Sequence, residues 1–317
     1  MRLVSQLRTT TIKTFAPATI ANLGPGFDIL GLALEKPGDI VEAKIIPKKK
    51  VIISEITGDK GKLPRDSKKN TAGIAAREVL KLLKTKKGVE IKLHKGMPLE
   101  SGLGSSAASA IASAWAVNLL FGKKLFKKEL LPACLKAEKL AGGGEHADNV
   151  AASLLGGVVL IRSYEPLDII SLDYPKNLFC VVVTPELTLS TIKARKVLPK
   201  NVSLSQVVQN SGNVAALVTA LERKDFDLLG RALNDEIIEP IRAPLIPGFY
   251  KVKQSALSSG ALGCSISGGG PSIFALTQNL KEARKIGKEM RRTFLTEKIK
   301  SKTYISKINS VGAKEVK

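Results

Sequence analysis

Two hydrophobic periods run through the chain, and the switches between them mark its elements. Alternating apolar positions rich in β-branched residues predict strands over Thr11 to Ala16 and Leu30 to Ile46. Pro17 to Asp28, between them, reads as a loop turned by Asn22, Gly24, Pro25 and Gly26. Short strands are expected at Val51 to Ile56 and Val89 to His94. Ile74, Val79, Leu82 and Leu83 fall at helical spacing, which predicts a helix over Asn70 to Leu83. A small-residue helix is expected over Ser105 to Leu120, and a second over Lys128 to Leu140, stopped by Gly142, Gly143 and Gly144. A third, Ala147 to Leu155, closes at Gly156 and Gly157, and a strand follows over Val158 to Ile161.

Pro and Asp break the pattern across Ser163 to Pro175, and the domain boundary is placed there, dividing the chain into 1–165 and 166–317. Beyond it come a buried-type strand, Phe179 to Thr184, and helices at Ser190 to Val197, Ser205 to Glu222, Phe226 to Asn234 and Tyr250 to Ser259. A hairpin across Gly268 to Pro271, a helix over Lys281 to Phe294 and a strand over Thr303 to Ile308 complete the chain. Mixed sheets with helices on one face, in two domains, define an α+β protein. A length of 317 residues suits two domains better than one small core.

Composition narrows the functional classes. No apolar run reaches the roughly 18 to 20 residues that span a bilayer, so no membrane partner is expected. Met1 to Thr14 carries cations but no apolar segment, which argues against a secretory signal. Cys134, Cys180 and Cys264 are odd in number, lack Cys-x-x-Cys spacing and sit among apolar residues. They read as core thiols in a reducing, cytoplasmic compartment. The net charge of +22 attracts polyanions, so a basic nucleic-acid-binding module must be weighed. The lysines are dispersed, however, and only 4% of residues are aromatic, which leaves few stacking platforms for single strands.

The sharpest local pattern is Pro98, Leu99, Glu100, Ser101, Gly102, Leu103, Gly104, Ser105, Ser106, Ala107, Ala108. Two glycines let the backbone approach a ligand, and a helix starts at once. Free N–H groups and the positive end of the helix dipole then point at one spot, which suits phosphate. A plain serine-capped glycine turn is the competing reading. The Gly-x-x-x-x-Gly-Lys-Ser/Thr pattern is absent. Downstream, Leu131, Cys134, Leu135 and Glu138 share one helical face, so Glu138 projects from an apolar side. Mg²⁺ beside a phosphate loop would satisfy that carboxylate; a solvated helix edge would do so too.

Several segments together resemble the homoserine kinases of the GHMP kinase superfamily. They are the loop above, Ala16 to Asp28, Gly144 to Asn149, Leu189 to Arg195 with Leu198 and Pro199, and Ser267 to Ser272. The resemblance implies a two-domain α+β fold with an active site in the cleft between an N-terminal ATP-binding domain and a C-terminal domain. It implies ATP with Mg²⁺ as cofactor, phosphorylation of L-homoserine on the threonine pathway, and a homodimer. Ser106 and Glu138 match the family's magnesium ligands, and Asn70 and Lys95 fall where it lines the adenine pocket. Asn22, Asp28, His146, Asn149, Arg195 and Arg242 match its substrate pocket, with Asp148 as neighbour. His146 and Asn149 are the candidate catalytic residues; Asn149 stands where some relatives carry an aspartate base, so a protein base is left open. A sister kinase acting on mevalonate, shikimate or a sugar is the principal alternative.

Overall fold

The computed structural model describes residues 11–142, 144 and 146–317. The expectations for Met1 to Thr10, Gly143 and Glu145 lie outside the described residues. The elements run β1 (Thr11–Ala21), β2 (Leu30–Ile46), β3 (Val51–Thr57), α1 (Thr71–Leu82), β4 (Gly88–His94) and α2 (Ser105–Leu120). Next come α3 (Lys127–Gly142), α4 (Ala147–Leu155), β5 (Val158–Tyr164) and β6 (Leu167–Leu172). The later half runs β7 (Phe179–Pro185), α5 (Thr191–Lys196), α6 (Leu204–Arg223), α7 (Phe226–Ala232), α8 (Glu239–Arg242) and α9 (Phe249–Ser258). It closes with β8 (Gly263–Ile266), β9 (Ile273–Thr277), α10 (Leu280–Thr296), β10 (Ser301–Lys307) and β11 (Lys314–Glu315).

The first sheet has the order β11-β1-β2-β4-β3, with β5 also on β2 and β6 on β5. The long β2 serves two neighbours: Leu30 to Leu32 pair with β5, and Ile40 to Ile46 pair with β4. α2 is apolar on every side and buried from Ala107 to Asn118, as a central helix must be. It packs on β1 and β2 and is flanked by α1, α3 and α4. The second sheet, β10-β7-β9-β8, is antiparallel throughout. Its strands alternate between two cores. Val181, Val183, Ile273 and Ala275 face the α9 and α10 side, while Cys180, Val182, Phe274 and Leu276 join the core of the first sheet. The two halves are therefore fused through a shared apolar layer. All three cysteines are free and buried, as expected of core thiols.

Four local expectations change. Strand β1 continues through Ala21, because Pro17 sits at a register shift where its missing N–H breaks no ladder bond. The segment read as an interruption contains β6, a half-exposed strand whose mixed side chains hide the period-2 signal. The β5–β6 hairpin straddles 165/166, and the chain crosses to the second sheet only between Leu172 and Phe179. Arg242, expected on a loop between two prolines, ends the short helix α8; Pro240 lies in its first turn, where a missing N–H is harmless.

Candidate active site

A cavity of about 660 Å³ opens between segments of the two sheets. The phosphate-type loop forms one wall. Its glycines are required by space and by conformation. Gly102 (φ 78°) and Gly104 (φ 66°) are left-handed, and a Cβ on Gly104 would lie 2.2 Å from Thr19 Oγ1 and 2.7 Å from Asn149 Oδ1. Gly104 caps α2 without a side chain, so the first-turn N–H groups face the cavity uncapped. The loop is held from the turn between β8 and β9 of the second sheet: Ser267 Oγ donates to Gly102 O at 2.7 Å, and Ser272 N to Ser101 O at 3.2 Å.

Beneath the loop lies a buried charge network. The Lys95 ammonium pairs with Asp39 and donates to Ser105 O and Ser109 Oγ, both at 2.7 Å. Asp39 also accepts from Gly96 N and Ser109 Oγ. Lys95 borders the cavity, yet its ammonium is committed to bracing the first turn of α2 and is not free to meet an adenine ring. Asn70 borders the cavity as well, with its amide occupied: Oδ1 caps α1 through Ala72 N, and Nδ2 donates to Pro64 O. The adjoining wall, Lys62 to Pro64 with Lys68 and Lys69, carried no motif in the sequence.

Glu138 is 4% exposed, so the solvated-edge alternative is excluded. Ser106 Oγ donates to its Oε2 at 2.9 Å, and its Oε1 has no partner among the described residues. Burial pushes the carboxyl up to about 7, against opposing pulls from the Ser106 hydroxyl and Lys95. An orphaned buried carboxylate oxygen beside a serine hydroxyl and a phosphate-type loop fits a hard divalent cation. His146 Nδ1 stands 4.0 Å from Glu138 Oε2, and its Nε2 is buried with no partner among the described residues. Burial and then the Arg195 charge lower its pKa, so the ring is neutral near pH 7.

The opposite wall gathers charges that lie far apart in sequence. Arg195 Nη2 donates to both Asp28 oxygens, at 2.8 and 3.0 Å. Arg242 is buried, with Nε on Ala194 O and Nη1 on Gly268 O. Both guanidiniums lie over the Phe27 ring, at 5.4 and 5.1 Å, a contact the sequence did not suggest. Asn22 and Asp28 adopt left-handed backbone, which Asn and Asp tolerate best. The Asn22 side chain braces the turn, accepting from Asp28 N and donating to Gly268 O. Asn149 Oδ1 accepts from Thr19 Oγ1 at 2.6 Å. Thr19 escaped notice because its segment read as a loop.

Asp148, beside Asn149, is 1% exposed and accepts from Asn149 N and Nδ2. Burial, then repulsion from Asp28, pushes its carboxyl up to about 7. A raised folded pKa favours the folded state at low pH, and that contribution is lost as pH rises through about 7. Asp148→Asn is therefore expected to gain thermal stability relative to the native chain as pH rises from about 4 to about 7, with little further change above that. Melting curves across that range check it; a difference independent of pH would leave Asp148 unperturbed.

A glycine loop at a helix start, a buried carboxylate beside it and a charged wall opposite define a phosphoryl-transfer type of site. Residues 70–157 match the GHMP kinases N terminal domain, and residues 217–295 match the GHMP kinases C terminal domain. A homoserine kinase of Chloroherpeton thalassium is 49% identical over 290 residues, covering 88% of this chain and 91% of its own. That of Arabidopsis thaliana is 47% identical over 314 residues, covering 96% and 85%. The crystal structure of homoserine kinase from Cytophaga hutchinsonii superposes with a TM-score of 0.95 at 49% identity, covering 99% of this chain and all of that one. The chain belongs to the homoserine kinase family of the GHMP kinases.

Proposed function

We propose that this protein transfers the γ-phosphoryl group of ATP to the side-chain hydroxyl of L-homoserine, giving ADP and O-phospho-L-homoserine for threonine biosynthesis. The observation that carries the reading is the Arg195–Asp28 pair, set in the same cavity as the glycine loop. A free amino acid brings a carboxylate and an ammonium, the complements of that cation and that anion. Mevalonate and shikimate bring the carboxylate alone.

The phosphates of ATP lie over residues 98 to 108, taking the uncapped N–H groups of α2. Ser106 and Glu138 would hold Mg²⁺, which would supply charge neutralisation for the phosphates. His146 and Asn149 orient the acceptor hydroxyl. The hydroxyl oxygen forms the new P–O bond as the bond to the ADP oxygen breaks. The hydroxyl proton leaves to a phosphoryl oxygen or to water, since alignment and charge neutralisation carry most of this chemistry. Lys95 and Asp39 keep the loop in place from below. The same reading puts the chain in the cytoplasm, where its buried free thiols stay reduced, and makes it a homodimer on family likeness. No helix among the described residues is long and apolar enough to cross a membrane.

An ADP-release assay over a panel of acceptors tests the reading. Turnover is expected with L-homoserine and Mg²⁺, and only weak release with mevalonate, shikimate or galactose. Mevalonate outrunning homoserine by about tenfold in kcat/KM would sink the substrate assignment while leaving a kinase.

A further inference from the structure

A second cavity, about 550 Å³, lies at the opposite end of α2 from the glycine loop. Sixteen residues of helix separate the two ends, roughly 24 Å at 1.5 Å per residue. The two cavities share no lining residue. Lys123, Lys124, Lys127 and Lys314 border the second one, against a single carboxylate, Glu315. Elsewhere on the surface lysines find carboxylates, as in Lys13–Glu42, Lys44–Glu90 and Lys251–Glu297. Among the described residues, none of the four lysines here forms such a pair.

Their contacts are those of cations without counter-ions. Lys123 and Lys127 sit over the Trp115 indole at 5.9 and 5.4 Å, and Lys127 Nζ donates to Val311 O at 2.6 Å. Burial, reinforced by repulsion from Lys123, lowers the Lys127 ammonium to about 8. Like charges gathered around one hollow repel each other, and an anion seated among them relieves that cost. Spread charge on an open surface would favour a long polyanion; a concave site favours a compact one. At its rim Phe126 is 82% exposed, an apolar face available to a flat ring.

We propose that this cavity is a second ligand site, separate from the catalytic cleft, that binds a compact oligophosphate. A nucleoside di- or triphosphate and an inorganic oligophosphate share the chemistry that the lysines recognise. The Phe126 ring distinguishes them, because only the nucleotide gains from it.

The chain has one tryptophan, Trp115, so intrinsic fluorescence reports on this cavity directly. The full-length enzyme, without homoserine so that no nucleotide is consumed, would be titrated with inorganic tripolyphosphate and, separately, with ATP; Trp115 borders the second cavity and not the first. Saturable quenching by tripolyphosphate is expected, with chloride at equal ionic strength giving none. In the triple variant Lys123→Gln, Lys124→Gln, Lys127→Gln the affinity should fall at least about tenfold, with kcat unchanged. The single variant Lys124→Gln should move the same way by less, which keeps the test available if the triple variant folds poorly. ATP binding more tightly than tripolyphosphate, with the gain lost in Phe126→Ala, identifies a nucleotide site; equal affinities identify an inorganic one. Absence of saturable quenching, quenching that survives in the lysine variants, or quenching by RNA but not by tripolyphosphate would each overturn the proposal.

Discussion

Glu138→Gln is expected to lower kcat/KM by about a thousandfold or more, equivalent to about 4 kcal/mol of transition-state stabilisation. The side chain is buried, one oxygen is held by Ser106 and the other has no partner among the described residues. Glutamine keeps the shape and still accepts from the serine hydroxyl, so the packing around it should survive. What it lacks is the charge that a divalent cation needs beside a triphosphate. The melting temperature without metal should hold or rise, because the substitution removes a carboxyl whose ionisation burial opposes. Stabilisation by added Mg²⁺ should shrink in the variant, and high Mg²⁺ should recover part of the rate. Turnover equal to the native enzyme at ordinary Mg²⁺ would take Glu138 out of the metal role.

Arg195→Met is expected to cost about 2 to 5 kcal/mol toward homoserine, or about thirtyfold to several thousandfold in kcat/KM, with little change in KM for ATP. Its ion pair with Asp28 gives the loss a second route. Without the guanidinium, Asp28 keeps its negative charge in a half-buried turn and meets the substrate carboxylate unscreened. Asp28→Asn should weaken homoserine through the ammonium instead, and the double variant should lose less than the sum. Lysine at position 195 should rescue only in part, because a point charge cannot reproduce the planar fork. An acceptor without the carboxylate, 3-amino-1-propanol, should be poor with the native enzyme and fall little further in Arg195→Met. Arg242→Met should lower stability along with homoserine affinity, since its guanidinium also holds Ala194 O and Gly268 O. An unchanged KM and kcat for homoserine in both arginine variants would move the carboxylate site elsewhere.

The candidate site was legible where its signal is local. The glycine loop needs left-handed backbone at fixed spacing, and only glycine supplies it cheaply, so residues 98 to 108 announced themselves. Glu138 was legible for a different reason. Helical periodicity assigns a face from neighbours three and four residues away, and α3 keeps Leu131, Cys134, Leu135 and Glu138 together and buried. Lys95 shows the opposite case. Nothing within a turn of it points to Asp39, and the pairing that occupies its ammonium spans 56 residues.

The sequence by itself determined the periodic elements, the glycine loop, the buried face of α3 and the core thiols. Each depends on side chains within a few positions of one another, or on bulk hydrophobicity. Tertiary structure alone decided which charges meet. With 50 lysines and arginines in the chain, no local property sets Arg195 apart as the partner of Asp28, 167 residues away. Nor does one set Thr19 apart as the partner of Asn149, across 130 residues. The weak elements followed the same rule. The second half of β1, the exposed β6 and the one-turn α8 carry little propensity of their own, and they form because neighbouring strands and caps supply the hydrogen bonds their backbones require. Local sequence fixes what a segment prefers; long-range packing fixes which of those preferences is satisfied and by what.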